Sequence, residues 1–259
     1  MLENSRLKIL KNGLTKMEEI NGLKILSGVN THPGSGSISN HTSEIEIFSN
    51  ILNNIDNKNN PIMIEIGSFW AVWSLFFRQK FPNGKNILVE LGKRQLYIGV
   101  KNFLNNNFDC EYYHGGFNIE SSGTFINKMG DIEYNPILDS GVNIDELILN
   151  DLELNFKFKD LNLTGDNLDF NKIYRDNKLD IIDLLHMDIQ GSELSLLRDI
   201  IEYISNKKIL NIVIATHSYE IHKEIITILN TNNYEIIINE DYGTIGGDGY
   251  IYAKIKNKN

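Results

Sequence analysis

The chain has 259 residues, 41% hydrophobic and 23% charged, a balance that fits one large α/β domain with additions and excludes a disordered or collagenous chain. Its 25 Lys and Arg against 34 Asp and Glu leave a formal charge of −9, so a broad phosphate-neutralising surface is not expected and duplex nucleic acid is a poor partner. No apolar run approaches the roughly 18 residues of a membrane span.

In chain order, residues 1–42 read as a leader and cover segment before a main domain over 43–259. The first sixteen residues interleave Glu3, Arg6, Lys8, Lys11 and Lys16 with apolar positions and lack the uninterrupted core of a secretory signal. The single Cys110 has no internal disulfide partner, so a reducing, cytoplasmic setting is expected. Residues 28–37 are Gly, Ser and Pro-rich and read as a hinge or cover loop. Ser43 is placed to cap a helix over 44–55.

From there strand and helix patterns alternate. A buried strand over 62–66 stops at Gly67 and precedes a helix over 71–81, whose stripe of Trp70, Trp73, Phe76 and Phe77 reads as core. A strand at 86–90, a helix at 97–105 and a strand at 110–114 follow, the last ended by Gly115 and Gly116. Residues 117–177 are polar and Asn/Asp-rich, too long for a plain connection, and read as an insertion or lid with some structure of its own. The rhythm resumes with a strand over 179–187, a helix over 193–202, a strand over 209–215 and a helix over 221–230. Segments 234–239 and 250–255 then form a closing antiparallel pair. This alternation implies a mostly parallel sheet with helices on both faces.

In such a sheet ligands bind beyond the carboxyl ends of the strands, where strand order reverses, so polar residues at strand ends are the candidates. Glu65-Ile66-Gly67-Ser68 leaves the first strand, with Gly67 free to turn and let a ligand approach. Glu90 ends the next strand a little over 20 residues later, where nucleotide-binding sheets place a ribose-binding acid; a plain exposed strand-end acid fits the position too. Asp188 leaves the strand over 179–187, Gln190-Gly191 turns the chain, and Ser192 is placed to cap the next helix. Asp188 and Glu193 would flank the cleft, and a carboxylate desolvated there could act as general base. Glu193 also suits the first turn of a helix with no function at all. His186 reads as a hydrogen-bonded core or cleft histidine. His217 ends a strand with an intrinsic pKa suited to proton transfer, and Ser218 fits a capping loop. The remaining histidines, His32, His41, His114 and His222, are scattered, and no metal-ligand spacing is present, so no metal is expected. Serine-hydrolase elbows, nucleotide-triphosphate loops and the full dinucleotide glycine fingerprint are all absent.

Ile64-Glu65-Ile66-Gly67-Ser68, Leu88-Val89-Glu90, the run I-D-L-L-H-M-D-I-Q-G-S-E over 182–193, and Thr216-His217-Ser218 with Asp248-Gly249 resemble the FkbM-type S-adenosylmethionine-dependent methyltransferases, over about residues 60–255. The run over 182–193 is the specific part. The resemblance implies a Rossmann-like class I methyltransferase fold: seven strands, mostly parallel, helices on both faces, a final antiparallel strand. It implies S-adenosylmethionine as cofactor and S-adenosylhomocysteine as product, with Glu65, Gly67 and Ser68 at the methionine end and Glu90 on the ribose. His114, Gly115 and Asp188 complete the implied cofactor set. Asp188 and its neighbours would face the methyl acceptor, a hydroxyl of a sugar, glycan or small natural product. Three departures stand out: the second glycine of the first loop is replaced near Trp70-Ala71, the proline that often follows the ribose acid is Leu91, and the insertion over 117–177 looks divergent.

For hydroxyl methylation the candidate bases are Asp188 and His217, then Glu193, with His41 entering from the cover segment. Lys93, Arg94 and Lys101 are a local basic patch that could hold a phosphate-bearing acceptor. The expected partner is a small-molecule or glycan acceptor, with no nucleic acid and no membrane span; a homo-oligomer stays open. Rival classes are a nicotinamide oxidoreductase, a nucleic-acid methyltransferase, and a non-catalytic binding protein on a decayed methyltransferase fold.

Overall fold

A computed structural model of the chain describes residues 16–27, 42–117, 144–162, 165–245 and 247–256. His32, His41 and the loop over 28–37 lie outside them. Strands β1 (Lys16–Ile20) and β2 (Leu23–Ser27) form an antiparallel hairpin in which Ile20 faces Leu23. Asn21 and Gly22 turn it with φ of 51° and 84°, the paired positive values that match the twist of a two-residue hairpin. The hairpin docks on a helix through two asparagines: Asn102 Oδ1 accepts from Leu26 N at 2.7 Å, and Asn106 Oδ1 from Lys24 N at 2.8 Å.

Helix α1 (Thr42–Asn53) starts one residue before Ser43, where the sequence placed its beginning one residue after it. Then come β3 (Ile62–Ile66), α2 (Val72–Lys80), β4 (Lys85–Glu90), α3 (Lys93–Asn105) and β5 (Glu111–Gly116). Within the stretch read as an insertion stand α4 (Ile144–Asn150), α5 (Asn155–Phe158), the two-residue β6 (Asp166–Asn167) and α6 (Phe170–Asp176). The chain closes with β7 (Leu184–Met187), α7 (Glu193–Asp199), α8 (Ile201–Ser205), β8 (Asn211–Thr216), α9 (Tyr219–Thr231), β9 (Tyr234–Ile245) and β10 (Asp248–Ile255).

The main sheet runs β6-β5-β4-β3-β7-β8-β10-β9. Pairs from β6 to β8 are parallel, and β10 is antiparallel to both β8 and β9. Seven strands match the expectation and the short β6 adds an eighth at the edge. Strand order reverses between β3 and β7, which opens a crevice beyond their carboxyl ends. One apolar layer, with Phe48, Leu75, Phe77 and Phe103, lies under α1, α2 and α3; the other, with Ile173, Leu196, Ile204 and Ile225, lies under α6 to α9. The aromatic stripe is core as read: Trp70, Phe76 and Phe77 are buried, and Trp73 packs 5.2 Å from Phe48.

Three local differences stand out. The strand expected over 179–187 pairs continuously only from Leu184, with one earlier bridge at Ile182, because Asp183 turns its carboxylate to accept from Ile62 N at 2.8 Å. The helix expected over 193–202 breaks at Ile200 into α7 and α8. The basic patch is engaged within the chain: Arg94 pairs with Asp145, Lys101 with Asp151, and Lys93 Nζ donates to the carbonyls of Lys159 and Leu161. These three side chains clamp α4 and α5 to α3 and therefore do not form an anion site.

Candidate functional site

The loop after β3 is built by left-handed residues. Gly67 has φ of +76°, and a Cβ there would fall 1.9 Å from the carbonyl oxygen of Asp188, so only glycine lets β3 and β7 close together at their ends. Phe69 and Ala71 also take positive φ, 48° and 59°. Ala71 thus holds a conformation that a glycine would adopt more cheaply, where the family pattern has its second glycine. Gly99 of α3 makes room beneath, since a Cβ on it would come 3.2 Å from that of Ala71.

Glu90 ties this loop to β4. Its Oε2 accepts from Phe69 N at 2.8 Å and its Oε1 from Gly92 N at 2.8 Å, and each oxygen retains a second lone pair. Burial pushes its carboxyl above the usual range despite those two donors. In the sheet Glu90 is opposite His114, whose Nε2 is buried without a hydrogen-bond partner. Gly115, next along β5, would drive a Cβ to 2.3 Å from the Asp166 carbonyl.

Glu65 lies beneath the mouth. It is fully buried and accepts from Ser74 N, an otherwise unsatisfied donor in the first turn of α2, at 3.1 Å. Its partner across the sheet is His186, whose Nδ1 sits 3.9 Å from Glu65 Oε1, too far to bond. The hydrogen bond expected of His186 is therefore missing. Burial raises Glu65 to about 8 and lowers His186 to about 3, so both are neutral at pH 7.

On the other side of the reversal, β7 and β8 deliver Asp188, Glu193 and His217 to one place. Ser192 makes no side-chain cap; the fully buried Glu193 turns back instead and accepts from Ile189 N at 3.2 Å and Gly191 N at 3.0 Å. The same Oε1 lies 2.7 Å from His217 Nδ1. That contact fixes the tautomer in which Nδ1–H donates to Glu193 and Nε2 is free to accept. Nε2 is buried, has no hydrogen-bond partner, and stands 3.4 Å from Asp188 Oδ1 and 3.7 Å from Asp248 Oδ1. Burial pulls the imidazole down, and the bond to Glu193 with the charges of Glu193, Asp188 and Asp248 outweighs it, leaving its pKa raised. Burial likewise raises Asp188 to about 6, against the pull of His217. Ser218 accepts from Ile221 N at 3.1 Å and caps α9.

The arrangement leaves Ser68 Oγ, Trp70 Nε1, His114 Nε2, His217 Nε2 and Tyr250 Oη buried without partners. Buried polar atoms rarely stay unpaired, so five in strand-end loops and strands at the carboxyl edge fit a polar ligand. Ser68 Oγ, His114 Nε2 and the spare lone pairs of Glu90 suit the hydroxyls and nitrogens of an adenosyl cofactor across β3, β4 and β5. Among the described residues no cluster of His, Cys, Asp and Glu could hold a metal ion. Reasoning from the sequence did not single out Tyr250, or Asp248 as a partner of His217; the Asp248-Gly249 pair was the one available signal.

No protein-family model and no curated protein matches the sequence. Among solved structures, the METTL16 MTase domain aligns with a TM-score of 0.51 and 9% identity, covering 86% of this chain and 70% of that one. Precorrin-6y C5,15-methyltransferase from Geobacter metallireducens gives 0.44 and 15%, covering 82% and 88%. TrmK of M. capricolum in complex with S-adenosyl-homocysteine gives 0.41 and 15%, covering 80% and 68%. With the strand order above, the likeness shows a class I methyltransferase fold, a coarser assignment than the FkbM type.

Proposed function

We propose that the chain is an S-adenosylmethionine-dependent O-methyltransferase of the FkbM type, acting on a hydroxyl of a sugar, glycan or small natural product. The observation that carries this reading is His217: held through Nδ1 by a fully buried carboxylate, it presents an unpartnered Nε2 beside Asp188 at the strand-order reversal. A base oriented by a third group is the arrangement an alcohol needs, because alcohols give up protons poorly at neutral pH.

When bound, the cofactor supplies a methyl group on a sulfonium and leaves as a neutral thioether. Glu65, Gly67, Ser68, Glu90, His114, Gly115 and Asp188 form its proposed cradle. Alignment of acceptor oxygen and methyl carbon is the larger part of catalysis, worth about 7–11 kcal/mol in well-oriented systems. His217 Nε2 takes the hydroxyl proton, Glu193 positions the ring and stabilises the resulting imidazolium, and Asp188 orients the acceptor. The net charge of −9 argues against a nucleic-acid acceptor.

Calorimetry with S-adenosylhomocysteine and S-adenosylmethionine, with NAD as competitor, tests the cofactor. Micromolar binding that Glu90→Ala abolishes is the expected result; no binding by a folded protein refutes the enzyme reading and leaves the decayed binding protein. His217→Asn should then lower turnover on a methylated acceptor by about 10²–10⁴ with cofactor affinity kept. Full turnover by Asp188→Asn would remove Asp188 from the step.

A further inference from the structure

His222 takes no part in the site around His217, yet both of its ring nitrogens are bonded. It lies in the first turn of α9 and is buried together with Thr216. Its Nε2 donates to Asn239 Oδ1 of β9 at 2.9 Å, which leaves Nδ1 to accept from the Thr216 hydroxyl of β8 at 2.8 Å. One ring thus joins β8 to β9, which are not neighbours in the sheet, because β10 runs between them.

The space for this bridge is left by Gly249 in β10. A Cβ there would fall 2.4 Å from Thr216 Oγ1 and 2.7 Å from His222 Nδ1, so the bond between those two passes over a residue with no side chain. The backbone ladder is also interrupted here. Strand β10 pairs with β9 at Tyr250 with Glu240 and again at Asp248 with Ile245, so residues 241–244 bulge against Gly249; its last pair with β8 is Gly249 with Thr216. Asp248 and His217 are the next residues beyond that pair, and Asp248 Oδ1 stands 3.7 Å from His217 Nε2. A side-chain bridge therefore fixes the strand ends where the ladder does not.

We propose that His222 is a positioning residue for His217: by bridging Thr216 and Asn239 across Gly249, it holds the Asp248 carboxylate against His217 Nε2. The inference rests on the reading under Proposed function for the work His217 does, and it adds the means by which one wall of that site is held. It also gives the Asp248-Gly249 pair a physical reason, since the acid faces the ring and the glycine makes room for the bridge. A carboxylate facing Nε2 favours the ring once it has taken a proton, so Asp248 adds to what Glu193 of α7 and Asp188 beyond β7 contribute. If the bridge loosens, Asp248 recedes, and its attraction for the imidazolium falls with distance. Asp241 of β9 faces the bridge itself, its Oδ1 3.9 Å from His222 Nε2, and is exposed.

NMR titration of the His217 ring in the full chain tests this, with S-adenosylhomocysteine calorimetry on the same samples. Asp248→Asn should lower the His217 midpoint by about half a pH unit or more. His222→Phe, which fills the space without bonding, and Thr216→Val, which removes only the hydroxyl donor, should each lower it too. His222→Phe should add nothing once Asp248 is replaced by Asn, because both changes remove the same interaction. His222→Gln, which can accept from Thr216 and donate to Asn239, should keep the parent midpoint. A merely structural role would lower the melting temperature and leave the midpoint in place, and that result in His222→Phe and Thr216→Val overturns the proposal. An unmoved midpoint in Asp248→Asn overturns it as well, as does a fall in His222→Phe that is equally large without the Asp248 charge. If His222→Phe does not fold, Thr216→Val decides. A parent protein that fails to bind S-adenosylhomocysteine refutes the methyl-transfer reading alone, and the same titrations on the free protein still judge the bridge.

Discussion

Replacing Glu65 by Gln should stabilise the protein, and increasingly so as pH rises. The buried Glu65 carboxyl is raised from 4.5 to about 8, so between those values the folded chain keeps a proton that the unfolded chain has released. Stability therefore falls as pH rises through this window, and the loss is complete near pH 8. The span of 8 − 4.5 = 3.5 pH units, at about 1.36 kcal/mol each, gives about 5 kcal/mol as the upper bound. Glutamine does not titrate, keeps an acceptor for Ser74 N, and turns an amide donor toward His186 Nδ1, which has no partner. His186, lowered to about 3, weakens the fold as pH falls below its unfolded value, but it is present in both proteins and cancels in the difference. Urea denaturation from pH 5 to pH 8.5 measures this. The two proteins should agree within about 1 kcal/mol at pH 5, and the variant should lead by several kcal/mol at pH 8. A stability difference that stays constant across that range would refute a protonated Glu65.

Three further outcomes are expected. Glu193→Gln removes the main contribution that raises His217, so the acid limb of kcat/KM should move to lower pH while the plateau falls about tenfold; an unmoved limb would mean that another group titrates. Gly67→Ala must place a methyl 1.9 Å from the Asp188 carbonyl at a positive φ, and a chain that stays as stable as the parent would contradict the closeness of β3 and β7. Lys93→Met releases the carbonyls of Lys159 and Leu161, so amide exchange over 144–162 should speed up with little change in β3 and β4; unchanged exchange would show that the clamp does not hold those helices.

The elements legible in the sequence were those whose burial is periodic. Strands β3 and β8 are mostly apolar, Glu65 apart in β3, because both of their faces are covered, and α9 shows one apolar stripe because only one side of it is. The hairpin of β1 and β2 went unread although Asn21-Gly22 is a strong hairpin signal, because charged residues surround it and it is held by Asn102 and Asn106, some 80 positions away. Ser192 and Glu193 illustrate the same limit. Local propensity favours Ser192 as the cap, but the tertiary contact with His217 draws the Glu193 carboxylate back onto Ile189 N and Gly191 N, and the cap passes to Glu193. Lys93, Arg94 and Lys101 read as a free basic patch because their partners, at 145, 151, 159 and 161, lie in a stretch with no readable period.

What the sequence determined by itself was the class of fold and which polar residues stand at the ends of its strands. Alternating strand and helix patterns, with Gly67, Glu90, Asp188 and His217 at strand ends, follow from local propensity and hydrophobic period, which neighbouring residues set. What only the tertiary structure decided was which side chains face one another and in which protonation state. Glu65 and His186 become a neutral pair only because parallel strands from distant parts of the chain place them side by side in a dry interior. His217 has its ring held in one orientation only because Glu193, beyond the end of the neighbouring strand β7, reaches it. Burial and charge depend on three-dimensional neighbours, and those neighbours are chosen by packing, which a linear pattern of residues does not contain.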